Sequence, residues 1–180
     1  MPRTPSKVSS QDTRKKKLIT VAVSGGFDPI HAGHVRMIRE AAALGDRLVV
    51  IMNNDTWLKH KKGYAFMPQK ERKEIIESIV GVDEVVITSH KPGFTDRSVC
   101  AELKKIKPDI FANGGDRTGD NIPEVAVCKE IGCTMVFEVG RGGKMQSSSW
   151  LMKQFTEVRN GLCGCGSGKK HKMCHGRKKA

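Results

Sequence analysis

The sequence predicts an α/β protein built on a five-stranded parallel sheet with helices covering both faces. Three observations lead there. Short runs of consecutive apolar residues recur along the 180 residues, helical patterns separate them, and Gly- or Asn-rich turns follow several of the runs. An unbroken apolar run reads as a strand buried on both sides, which is how parallel sheets are built.

The elements follow in order. Leu18–Val23 is the first strand, and the Ala-rich stretch His34–Leu44 is a helix stopped at Gly45. Leu48–Met52 is the second strand, followed by a polar, lysine-containing loop over Asn53–Met67. Pro68 opens a helix through Val80, since proline suits a first helical turn. Val85–Thr88 is a third strand, and a helix over Ser98–Lys107 ends at Pro108. Ile110–Ala112 is a fourth strand running into Asn113-Gly114-Gly115-Asp116, then a helix spans Ile122–Ile131. Thr134–Val139 is the fifth strand, and after a glycine-rich loop a last helix runs from Ser148 to Val158. This is a Rossmann-like order, and such sheets bind ligands beyond the carboxyl ends of their strands.

Charge divides the chain further. The formal net charge is +13, yet residues 1–17 hold six Lys/Arg against Asp12 and residues 160–180 hold six with no acid. The interior is therefore near neutral, and the two ends carry the basicity. Residues 1–17, rich in Pro, Ser and Lys, read as a disordered basic arm. Residues 18–158 read as the globular domain, and 159–180 as a separate tail. Basic ends of this kind attract nucleic acid, ribosomes or acidic proteins, or serve as solvated tails. No apolar run approaches the roughly 18 residues of a membrane span, and no signal-like segment opens the chain, so a cytoplasmic protein is expected. Cys100, Cys128 and Cys133 fall in or near helix or strand patterns and read as small buried hydrophobes.

The most informative stretch follows the first strand: Gly25-Gly26-Phe27-Asp28-Pro29-Ile30-His31-Ala32-Gly33-His34. A glycine turn and a helix start aim backbone N–H groups at an anion. Two histidines three apart on the first helical turn face one ligand, with a charge state easily adjusted near neutral pH. Phosphate is the ligand this chemistry suits.

Four segments together, GGFDPIHAGHVRMI, NNDTWLKHKKGY, NGGDR and GRGGKMQSSSW, resemble the HxGH-superfamily nucleotidyltransferases. The likeness is greatest to heptose 1-phosphate adenylyltransferase and glycerol 3-phosphate cytidylyltransferase. The resemblance implies transfer of a nucleoside monophosphate from ATP, slightly favoured, or CTP to a small phosphorylated substrate such as a sugar or polyol phosphate, with release of pyrophosphate. It implies His31 and His34 on the triphosphate oxygens, with Lys59 or Lys61 supplying cationic contacts. Gly25, Gly26 and Phe27 would lie close to the nucleotide, and Asp116 near the base and ribose. Ser147, Ser148 and Ser149 would hold the β- and γ-phosphates. The resemblance also implies Arg141 as a nucleotide-binding residue, one residue further from those serines than in the cytidylyltransferases. A Mg²⁺ ion is expected with the triphosphate, and a homodimer is the family's default. Trp57, Tyr64 and Trp150 read as packing residues, and Asp28 as a residue that shapes the turn.

The tail holds Cys163, Cys165, Cys174 and His175 in a glycine-rich segment too poor in apolar residues to fold by burial. Three thiolates and an imidazole fit a closed tetrahedral Zn²⁺ site that orders such a segment. The pattern resembles the SEC-C motif of the SecA translocase tail, which serves protein contacts; His171 is read as a bystander. Enzyme is thus the first reading. The other is a nucleotide-sensing interaction protein, recruited to a ribosome, nucleic acid or secretion machinery through its tail.

Overall fold

The computed structural model describes residues 17–114, 122–140 and 147–176. Among these residues it contains five strands: β1 Thr20–Gly25, β2 Arg47–Met52, β3 Glu84–Ile87, β4 Ile110–Gly114 and β5 Thr134–Val139. Six α-helices connect and follow them: α1 Ala32–Ala42, α2 Asp55–Lys62, α3 Gln69–Glu77, α4 Cys100–Ile106, α5 Glu124–Ile131 and α6 Ser148–Asn160. The strands form one parallel sheet in the order β3-β2-β1-β4-β5.

Side chains alternate across this sheet, so one apolar run feeds two cores. Val21, Val23, Leu48, Val50, Met52 and Ala112 pack beneath Ile38 and Ala41 of α1 and Ile76 of α3. Ala22, Ile51 and Phe111 pack beneath Leu103 of α4 and Val127 and Cys128 of α5. Helices therefore lie on both faces, as the unbroken apolar strands require. The chain builds outward from β1 to β3, then returns to the other side of β1 for β4 and β5. That reversal leaves a crevice beyond the carboxyl ends of β1 and β4, where doubly covered sheets take their ligands.

The expected polar loop over residues 53–67 is corrected: it contains α2. This helix buries only Trp57 and Leu58, adjacent residues that give no helical period. Its ends do carry helix chemistry. Asn54 caps it by accepting from the Trp57 amide at 2.8 Å, Asp55 lies in the first turn, and Gly63 closes it at φ 82°. Trp57 is a packing residue, 7% exposed, its indole N–H donating to the Arg97 carbonyl at 3.0 Å. The first strand begins at Thr20 and not Leu18, and it continues two residues past Val23 because Ser24 and Gly25 pair with Ile51 and Met52. The last helix extends past residue 158 to Asn160, across the boundary expected between domain and tail.

Candidate functional site

Between β1 and α1 the chain turns sharply. Phe27 adopts φ 50°, in the left-handed region, and buries its ring at the base of the loop. A Cβ on Gly25 would stand 3.0 Å from that ring, and one on Gly26 would stand 3.0 Å from Leu58 Cδ2. A side chain at either position would have to push its neighbour aside by a few tenths of an ångström, so glycine lets the loop lie close over α2. His31 then caps α1 in extended conformation, and His34 sits one turn in. Their rings stack with centroids 3.7 Å apart and planes 19° apart. A Cβ on Gly33 would press at 3.0 Å on the His31 ring, so the glycine between the histidines permits the stack.

The His31 amide donates to His34 Nδ1 at 3.3 Å. That nitrogen must carry a lone pair, so the neutral His34 ring holds its proton on Nε2. Burial, with the neighbouring His31 second, holds His34 down at about 3, and burial also lowers His31. At neutral pH His34 is thus an uncharged N–H donor. His31 Nδ1 is buried with no hydrogen-bond partner among the described residues.

Asp28 does more than shape the turn. Its buried carboxylate accepts from the Phe66 and Met67 amides at 2.8 and 2.7 Å, and its Oδ2 lies 2.7 Å from Lys62 Nζ. The same ammonium donates to the Asp28 carbonyl at 2.7 Å. Lys62 therefore touches the histidine loop directly, whereas sequence reasoning singled out Lys59 and Lys61. Those two are exposed on α2, Lys61 with its Nζ 4.8 Å from the Trp57 ring centroid.

A second residue missed in the sequence is Arg72, fully buried on α3. Its guanidinium donates to the carbonyls of Gly26 (2.7 Å), Asn53 (2.8 Å) and Met67 (3.0 Å), and to Asp55 Oδ1 at 2.6 Å. One side chain thereby joins the glycine loop, the end of β2, the start of α2 and the segment before α3. A signal for it was present: Arg72 stands four residues before Ile76, on the buried stripe of α3.

The serines of the last helix come to the same loop. Ser148 Oγ donates to the Pro29 carbonyl at 2.9 Å, and Ser147 caps α6 by accepting from the Trp150 amide at 3.1 Å. Ser149 is exposed. His31, His34 and Ser148, far apart in sequence, are thus brought together around residues 29–34, whereas the Ser147 side chain bonds within its own helix. Asp116 and Arg141 lie outside the described residues. At the crevice, a Cβ on Gly114 would stand 2.6 Å from Met37 Sδ. Gly140, at φ 100°, donates its amide to Glu40 at 2.7 Å.

In the tail, one ligand atom from each of Cys163, Cys165, Cys174 and His175 lies within 4.8 Å of the others. Cys165 and Cys174 sulfurs are 3.6 Å apart, and His175 Nδ1 is 3.1 Å from Cys163 and 3.6 Å from Cys174. Hydrogen bonding from the Cys165 backbone, then from His175, holds the Cys163 thiol down at about 5, and the same contact raises His175. His171 stays outside the four, its Nδ1 3.9 Å from Cys163 Sγ. Cys128 and Cys133 are buried, and burial pushes Cys133 up to about 12; Cys100 is half-buried. These are packing thiols.

Residues 22–134 match the model of the cytidylyltransferase-like family, from within β1 to the start of β5. The chain belongs to this family. It is 42% identical to an FAD synthase of Pyrococcus horikoshii over 103 residues, 57% of this chain and 66% of that one. It is 35% identical to the bifunctional protein HldE of a Nitratiruptor species over 124 residues, 68% of this chain and 26% of that one. The chain thus spans just under two thirds of the first of these relatives and about a quarter of the second. The fold is shared with a lipopolysaccharide core biosynthesis protein of Thermoplasma volcanium, at TM-score 0.57 and 24% identity, over 70% of this chain and 100% of that one. Among the described residues no helix is long and apolar enough to cross a membrane.

Proposed function

We propose that this cytidylyltransferase-like chain is an adenylyltransferase. An oxygen of an acceptor's phosphate monoester attacks the α-phosphorus of ATP, the α–β bridging bond breaks, and pyrophosphate leaves. The observation that carries this reading is the stacked His31–His34 pair with Ser148 fixed against the same loop. Such a transfer needs alignment and relief of charge spread over phosphate oxygens, and little covalent help. His34 offers an Nε2–H to an oxygen of the leaving pyrophosphate, and His31 a second donor one ring away. The start of α6, tethered to the loop by the Ser148–Pro29 bond, offers the Ser147 hydroxyl and free amides to the β- and γ-phosphates.

Asp28 is already engaged by two amides and Lys62. The Asp28 carboxylate is therefore not spare for a divalent cation; a Mg²⁺ would depend on the triphosphate oxygens and would supply neutralisation of charge on the leaving pyrophosphate. ATP is favoured over CTP because FAD is adenylate joined to flavin mononucleotide, and FAD synthases are among the relatives. The acceptor class is a small phosphate monoester, and reduced thiols suit a cytoplasmic setting.

We also assign the tail a structural Zn²⁺. Tetrahedral ligation at about 2.3 Å to sulfur and about 2.0 Å to nitrogen requires ligand atoms about 3.5–3.8 Å apart. The 3.6 Å spacings fit that, and a thiol already ionised near neutral pH fits the ligand set. The six Lys/Arg of residues 160–180, with no acid among them, support the second reading, an interaction protein docking through its basic knuckle.

The test is pyrophosphate release from ATP and from CTP with flavin mononucleotide, sugar phosphates and polyol phosphates as acceptors. Release with ATP and one acceptor is expected. Tight ATP binding with no release for any acceptor would reject the enzyme in favour of the interaction protein.

A further inference from the structure

Helix α6 is held at its ends and not along its length. None of its 13 residues is buried, and residues 153–162 are exposed without a break. Phe155 and Val158, which a core-facing helix would cover, are 55% and 66% exposed. A lone helix of about 12–15 residues is marginal in water, and packing of an apolar face normally makes up the difference. Along its second half α6 has no such cover from the sheet domain among the described residues, and only the tail turn at 171–173 meets it.

The two ends are differently supplied. At the amino end Ser147 caps the helix and Ser148 Oγ reaches Pro29. At the carboxyl end the Gly161 amide closes the last turn on Glu157 at 2.9 Å, and the Gly161 carbonyl accepts from His171 at 2.9 Å. Leu162 then bridges to Lys170, and the Cys163 amide donates to Lys169 at 2.8 Å. The final turn of α6 and the four-ligand cluster form one hydrogen-bonded piece.

We propose that the metal-bound knuckle is the carboxyl-terminal anchor of α6 and, through that helix, a positioning element for Ser148 at the nucleotide loop, with Cys174 as a positioning residue. The proposal rests on the zinc and nucleotide readings above. The knuckle has no apolar core, so metal ligation supplies its order. When the ligands are released the anchor is lost, α6 frays from its carboxyl end, and the Ser148 hydroxyl no longer keeps its place beside Pro29. The reacting groups on α1 are untouched. Weaker grip on the triphosphate is therefore the expected defect.

The full chain is compared as purified, after a zinc-selective chelator has been removed by desalting, after zinc is returned, and as Cys174→Ser. Zinc content, ATP affinity by calorimetry and amide hydrogen exchange over residues 149–160 are read in each. Stripping is expected to weaken ATP binding about tenfold, the scale of one lost hydrogen bond to a charged group, and to speed exchange across α6; returned zinc restores both. Thr156→Ala raises helix propensity on the exposed face and should recover part of the loss in stripped protein. In Ser148→Ala the zinc dependence of ATP affinity should vanish, because the two changes act along one route. Unchanged affinity and exchange in stripped protein would overturn the proposal, as would a zinc dependence that survives Ser148→Ala. A chain that cannot be loaded with zinc would reject the zinc reading, and loaded protein that ignores ATP would reject the nucleotide reading; either result takes the proposal with it.

Discussion

Two imidazolium rings stacked at 3.7 Å would repel each other, and among the described residues no carboxylate contributes to the shift of either His31 or His34. Both rings are held towards the neutral form, the state in which the proposed transfer would use them as hydrogen-bond donors. His34→Ala is expected to lower adenylyl transfer by about 10²-fold or more while leaving ATP binding within a few-fold, since the donor acts on charge that grows in the transition state. Single-turnover rates beside calorimetric affinities check this, and wild-type turnover would remove His34 from the chemistry. The same ring shapes stability. His34 titrates near 6.5 in the unfolded chain and at about 3 when folded. Between those values the unfolded chain holds the extra proton, so folding weakens as pH falls from 6.5 toward 3. His34→Gln should flatten that part of a urea-unfolding profile measured across pH, and an unchanged slope would show that His34 is not the group responsible.

At the scale of elements, what the sequence made legible was whatever buries itself in a regular period. All five strands were legible because both of their faces are covered, and β5 matched residue for residue at Thr134–Val139. Helix α2 was not, because two adjacent apolar residues anchor it and its caps do the rest. Lys62 escaped notice for a different reason. Its role depends on Asp28, thirty-four residues earlier, and nothing local separates it from Lys59 or Lys61. The histidine pair was legible as a motif, but its neutral state came only from the depth of the ring. Arg72 shows how elements are tied: it satisfies three carbonyls and a carboxylate that belong to four segments. Arg72→Met leaves those acceptors buried without a donor and should cost about 3 kcal/mol or more, read as a fall in the urea midpoint. Arg72→Lys keeps the charge but not the fork, and should recover less than half of that. A loss below about 1 kcal/mol for Arg72→Met would mean the four segments hold without it.

For the molecule as a whole, the strand order decides when the fold can be finished. The strand made first, β1, ends in the middle, with β2 on one side and β4 on the other. During synthesis β1, β2 and β3 can associate early, with α1 and α3 over one face. The far edge of β1 then presents its peptide groups to solvent until residues 110–114 emerge. Unpaired strand edges invite pairing with other chains. A chain cut short ahead of β4 should therefore precipitate or recruit chaperones, whereas one cut after β5 should stay in solution. A premature stop codon between the triplets for β3 and those for β4 would thus leave a sticky fragment in place of a smaller working protein.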